Sequence, residues 1–176
     1  MRKFSMSILT VSLLLTAAFL FAADTPEAGS AAPSFKLQSQ EGTPVSLDQF
    51  KGKWVVLYFY PKDFTSGCTI EAHNFQRDLS KYESANAAIV GVSVDSVDSH
   101  KQFCTKEGLN FKLLADPDGQ VAKQYGSLTN MGVTKFAQRH TFLIDPQGKI
   151  AKVYTDVKPN GHSEEILAEL AKLAKS

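Results

Sequence analysis

WVVLYFYPKDFTSGCTIEA, residues 54–72, decides the reading of the chain. WVVLYFY is β-branched and aromatic without polar interruption, the pattern of a strand buried on both faces. Pro61 stops the strand, and Thr65-Ser-Gly makes a tight approach to Cys68. From Thr69 to Ser84 the chain reads helical, with Ile70, Phe75, Leu79 and Tyr82 at roughly helical spacing. A buried strand that turns directly into a helix is a unit of α/β architecture.

The same alternation continues downstream. AAIVGVSV (87–94) is a second buried strand, and Ser96 caps a helix that Gly108 ends. FKLLAD (111–116) and HTFLID (140–145) are two more strands. DPQGK (145–149) turns HTFLID back into IAKVYTD as an antiparallel hairpin. A smaller hairpin is expected in FKLQSQEGTPVSL around Glu41-Gly42. Residues 163–175 form an amphipathic helix with Ile166, Leu167, Leu170, Leu173 and Ala174 inward. The expected fold is a mixed central sheet with helices on both faces, in one domain over 34–176.

The N-terminus reads differently. Arg2 and Lys3 precede an apolar run that ends before Asp24, so residues 1–23 are expected to be a secretory signal, with an uncleaved membrane anchor as the alternative. Residues 24–33 (DTPEAGSAAP) are small and polar, a linker or extended arm. The net charge is +1, and loss of residues 1–23 takes away two positive charges, leaving a mildly acidic exported domain. The localisation that follows is exported and periplasmic, where disulfides persist. No block of like charge supports nucleic-acid binding. Twelve Phe and five Tyr exclude a disordered chain. Two cysteines are too few for a disulfide scaffold or a four-Cys zinc site.

Cys68 falls at or just inside the first turn of its helix, where free N–H groups and the helix dipole stabilise an anion such as a thiolate. Thr65, three residues earlier, places a hydroxyl beside the sulfur. Glu71, three residues later, shares the helical face and repels a thiolate unless a cation intervenes. Arg139, at the start of the HTFLID strand, is the candidate cation. Against this stand two plainer readings: a buried core cysteine, or a static disulfide with Cys104. Thr65 and Glu71 occupy the C-x-x-C positions, and Phe64 and Ala72 the C-x-x-x-C positions, so neither a thioredoxin-type reductase nor a copper carrier fits. His73, His100, His140 and His162 show no zinc-type pairing, and no phosphate- or dinucleotide-binding glycine motif occurs. No cofactor and no metal are expected.

Pro61-Lys-Asp-Phe-Thr65-Ser-Gly-Cys68 resembles the P-x-x-x-T-x-x-C signature of peroxiredoxins, thiol peroxidases on a thioredoxin-like fold. With NFKLLAD and RHTFLIDPQGKI, it is similar to the Q-type subgroup, the bacterioferritin comigratory proteins. The resemblance covers residues 32–176. It implies that Cys68 is the peroxidatic cysteine and that Pro61 shields it. Thr65 and Arg139 would bind and polarise the peroxide, and Glu71 would orient the arginine. Two positions depart from the pattern: Ser66 replaces a common Pro, and His73 stands where many members carry a resolving Cys. The subgroup's other arrangement implies that Cys104 resolves the Cys68 sulfenic acid as an intramolecular disulfide. It further implies a hydroperoxide substrate, a thioredoxin-like or glutaredoxin-like dithiol reductant, and a monomer. A thiol-disulfide exchange protein and a redox-inactive binding protein on the same fold are the alternatives.

Overall fold

The computed structural model describes residues 25–174. The expected signal over 1–23 lies outside the described residues. Among the described residues, no helix is long and apolar enough to cross a membrane.

Among the described residues nine strands and five α-helices follow one another as β1 (Lys36–Ser39), β2 (Pro44–Ser46), β3 (Trp54–Phe59), α1 (Ser66–Arg77), α2 (Leu79–Ser84), β4 (Ala87–Ser93), α3 (Val97–Glu107), β5 (Lys112–Ala115), α4 (Gln120–Gln124), β6 (Leu128–Met131), β7 (Thr134–Ala137), β8 (Thr141–Ile144), β9 (Ile150–Tyr154) and α5 (His162–Leu173). Seven strands form the central sheet in the order β2-β1-β5-β4-β3-β8-β9. The β3–β4 and β4–β5 pairs are parallel, and the other neighbours are antiparallel. Because β3, β4 and β5 step across the sheet in one direction, right-handed crossovers put α1 and α3 on the same face.

The interior strand β3 feeds both faces through its two-residue period. Val56, Tyr58 and Tyr60 pack with Phe75, Phe103, Ile166 and Leu170 of α1, α3 and α5. Val55, Leu57 and Phe59 pack on the other face with Val121 and Tyr125, beside Phe142 and Ile144. Helices therefore cover both faces unequally: among the described residues the second carries short pieces, α4 and a 3-10 turn at Leu47–Phe50. The aromatic face has one deliberate gap: a Cβ on Gly91 would stand 2.7 Å from the Tyr58 ring and hydroxyl.

Two features differ from the sequence expectation. The helix expected over 69–84 starts at Ser66 and breaks at Asp78, which caps α2 with φ −96° and ψ 4°. The β6–β7 hairpin, turning at Gly132, was not foreseen, because LTNM and TKFA are short and largely polar. Residues 25–33 do not hang free. Gly29 N–H donates to the Ile150 carbonyl (2.7 Å) and Ile150 N–H to the Ser30 carbonyl (2.9 Å), so the arm pairs with the start of β9. At the far end, α5 stops at Leu173, and Ala174 is exposed rather than inward.

Candidate active site

Cys68 is the third residue of α1, and Cys68, Glu71, Ala72 and Phe75 form its buried face at the i, i+3, i+4, i+7 spacing. The first helical N–H to find a carbonyl is that of Thr69, which donates to Thr65 (2.9 Å). Helix geometry leaves the N–H groups before it without an intrahelical acceptor, at the end where the sulfur sits. Thr65 is the N-cap residue, in extended conformation, and its hydroxyl donates to the Lys62 carbonyl at 2.9 Å. A threonine has one O–H, so this hydroxyl closes the turn rather than donating to the sulfur, and its lone pairs remain acceptors.

Arg139 arrives by way of the sheet. Tyr58 of β3 pairs with Thr141 of β8, and Phe59 N–H donates to the His140 carbonyl (2.8 Å). That register delivers Arg139 to the end of β3 from which the chain leaves toward Cys68. One guanidinium nitrogen, Nη2, donates to Cys68 Sγ at 3.3 Å, and Nη1 bonds Glu71 Oε2. The guanidinium lies close over Gly67: a Cβ at that position would stand 3.3 Å from Arg139 Nη2, so the arginine would have to shift by a few tenths of an ångström to admit one.

The arginine thus bridges the thiol and the carboxyl that the sequence placed on one helical face. Glu71 is 1% exposed, and its second oxygen, Oε1, is buried without a partner. Burial pushes its carboxyl up to about 7 from an ordinary 4.5, against the opposing pull of Arg139. The folded protein therefore holds a proton that the unfolded chain has lost, and this group's share of stability is present below pH 4.5 and lost as pH rises through about 7. For the site the sign is opposite, because the carboxylate that forms above about 7 makes the charge-assisted bond that orients Arg139. The rate of peroxide reaction is expected to gain a step near pH 7 that Glu71→Gln lacks. Superimposable pH–rate profiles for the two proteins would contradict this role.

Cys104 lies on the buried face of α3 with His100 and Phe103. Both cysteines are free and buried, so the static disulfide is absent. Burial pushes the Cys104 thiol up to about 12, which keeps it protonated and a poor nucleophile as packed. Pro61 is half-buried and, with Lys62, Val94 and Phe136, lines a hollow between its loop and β7. The histidines carry structural bonds: His140 Nδ1 with Ser127 Oγ (3.0 Å), and His162 Nε2 with Thr141 Oγ1 (2.8 Å). Among the described residues no group of His, Cys, Asp and Glu could hold a metal ion.

The AhpC/TSA family model matches residues 28–153. The chain is a peroxiredoxin. The putative peroxiredoxin bcp of Coxiella burnetii is 44% identical over 148 residues, covering 82% of this chain and 98% of the relative. Among solved structures, Xanthomonas campestris peroxiredoxin Q superposes with a TM-score of 0.76 at 37% identity, covering 84% of this chain and 98% of that one. It has also been solved as two cysteine-to-serine variants, at positions 36 apart. The bacterioferritin comigratory protein of the same organism, solved in relation to its alkyl peroxide reduction activity, gives a TM-score of 0.77 at 35% identity, with 84% and 99% covered. The sheet and its helices are those of thioredoxin-fold peroxiredoxins, and peroxiredoxins are thiol-dependent peroxidases.

The sequence reading missed one buried residue beside this site. Asp63 looks like a surface turn residue, yet it is 3% exposed and heavily bonded.

Proposed function

We propose that Cys68 reduces hydrogen peroxide and alkyl hydroperoxides, and that Cys104 then resolves it as an intramolecular disulfide. The observation that carries this reading is the Arg139 Nη2 to Cys68 Sγ bond of 3.3 Å, with Glu71 behind it. The thiolate attacks the distal peroxide oxygen; an S–O bond forms, the O–O bond breaks, and alcohol or water leaves with a proton. Cys68 becomes the sulfenic acid. Donors aimed along the S–O–O line stabilise the charge as it moves, and the guanidinium with the open helix N–H groups occupies that place. Pro61 shields the sulfur, and the Thr65 oxygen accepts a hydrogen bond from the hydroperoxide O–H, which keeps its proton as that oxygen passes to sulfur. Cys104 next attacks the sulfenic sulfur, forming the S–S bond and releasing water.

Its separation from Cys68 equals the spacing of the two cysteines replaced in the X. campestris variants. A thioredoxin-like or glutaredoxin-like protein returns both thiols by exchange. We place the enzyme outside the cytosol on the strength of the apolar run after Arg2 and Lys3, and as a monomer on its resemblance to the Q-type subgroup; sequencing the N-terminus of the mature protein tests the cleavage.

The resolving step has its own test. Peptide mapping of protein treated with one equivalent of hydroperoxide is expected to give a 68–104 crosslink. Cys104→Ser is expected to retain a first turnover and lose sustained turnover with a dithiol protein. Absence of the crosslink in the unmutated protein would remove Cys104 from the cycle. Insulin reduction without peroxide consumption would instead establish thiol-disulfide exchange.

A further inference from the structure

The loop before Cys68 and the helix that carries Cys104 are joined by a buried polar cluster that the peroxide chemistry does not use. Asp63 Oδ1 accepts from the Tyr60 hydroxyl (2.8 Å), and Oδ2 accepts from Ser99 Oγ (2.7 Å) and bonds His100 Nδ1 (2.9 Å). The Asp63 N–H donates to Asp95 Oδ2 (2.9 Å), which Ser93 Oγ holds in turn (2.6 Å). His100 is fully buried and its Nε2 has no partner, so its polar bonding is directed wholly at Asp63 and Tyr60. Burial pushes the Asp63 carboxyl up, but the bonds from His100, Ser99 and Tyr60 outweigh it and hold the group below its ordinary value.

Position gives the cluster its meaning. Asp63 is five residues before Cys68, and His100 is one helical turn before Cys104 on the same buried face of α3. Between them Phe64 is held at φ +62°, a left-handed conformation that a phenylalanine adopts only under constraint. Its ring stands edge-on to Phe103, the neighbour of Cys104, at 5.1 Å between centroids. The loop therefore has strain to release once its ties to α3 are cut. A disulfide between residues 68 and 104 needs both buried thiols to leave their packing and meet.

We propose that the Asp63–His100 pair is a latch: it fastens the loop of Cys68 to α3, and its release sets the rate at which Cys104 reaches the Cys68 sulfenic acid. Asp63, Ser99 and His100 are positioning residues in this scheme and touch no reacting atom. The inference rests on the resolving role of Cys104. Condensation releases water and competes with a second hydroperoxide, which would take the sulfenic acid to sulfinic acid. The latch therefore also sets the peroxide concentration at which the enzyme is inactivated.

The test follows the disulfide by rapid mixing with hydrogen peroxide, alkylation and peptide mapping, with sulfinic acid scored in parallel. His100→Leu cuts the pair and is expected to speed disulfide formation about tenfold, and to raise the peroxide needed for half-conversion to sulfinic acid. Ser99→Ala removes one hydroxyl bond to the Asp63 carboxylate with little risk to folding, and is expected to give about a fivefold gain. His100→Asn puts an amide N–H where Nδ1 donates and is expected to restore the unmutated rate. A purely structural cluster would lower thermal stability in all three without changing the partition between disulfide and sulfinic acid. Disulfide formation at the unmutated rate in Ser99→Ala and in any folded His100→Leu would overturn the latch alone. Failure of the unmutated protein to form the 68–104 disulfide would overturn the resolving step, and the latch with it.

Discussion

Arg139→Leu is expected to slow the reaction of Cys68 with hydroperoxide by about a hundredfold to a thousandfold, the cost of removing one donor aimed at developing charge. The substitution takes away the Nη2 bond to the sulfur and the Nη1 bond to Glu71 together. Glu71 is then left buried with both oxygens unpartnered. Breaking a buried ion pair from one side costs about 3–5 kcal/mol when the stranded charge persists. Here the carboxyl already sits at about 7, so it takes up a proton instead, and the loss of stability falls toward the lower end of that span. Arg139→Lys is not a rescue, because a single ammonium cannot bond both Sγ and Oε2 in the fork geometry of a guanidinium. Stopped-flow peroxide kinetics with parallel thermal unfolding separate the two effects. Unchanged kinetics in a folded Arg139→Leu protein would remove the guanidinium from the chemistry.

Cys68→Ser is expected to reduce hydroperoxide consumption to background while leaving the fold intact. Serine is close to cysteine in volume, and the site is already polar at one end, so packing against Ala72 and Phe75 changes little. The nucleophile is lost outright, since the thiolate and not a hydroxyl attacks the O–O bond. Cys104 cannot substitute, because burial holds its thiol protonated near 12. Turnover retained by this variant would show that the reactive thiol is elsewhere.

Much of this site is legible from residues 54–72 because each element there announces itself through one strong signal. WVVLYF has no charged residue to place on a solvated face, so it had to be an interior strand, and β3 lies between β4 and β8. Cys68 follows a proline stop and a small-residue turn, which marks a helix start, and α1 begins two residues before it. Arg139 was within reach of inference because β8 follows directly and an arginine at a strand end is easily placed. What stays hidden depends on contacts between distant segments. Asp63 and His100 are 37 residues apart, each unremarkable beside its neighbours, and only the parallel β3–β4 pairing brings α3 back over the loop. The Thr65 hydroxyl was expected at the sulfur, but its own turn offers a closer acceptor in Lys62. The β6–β7 hairpin escapes because Met131 and Val133 lie exposed at its tip, without the alternation that marks a half-buried strand.

The most direct test of the account is to locate the first oxidised atom. Reduced Cys104→Ser protein, given one equivalent of hydroperoxide and trapped with a sulfenic-acid reagent, is expected to carry the adduct on the peptide containing Cys68 at near-stoichiometric yield. An unmodified Cys68 in protein that has consumed the peroxide would contradict it.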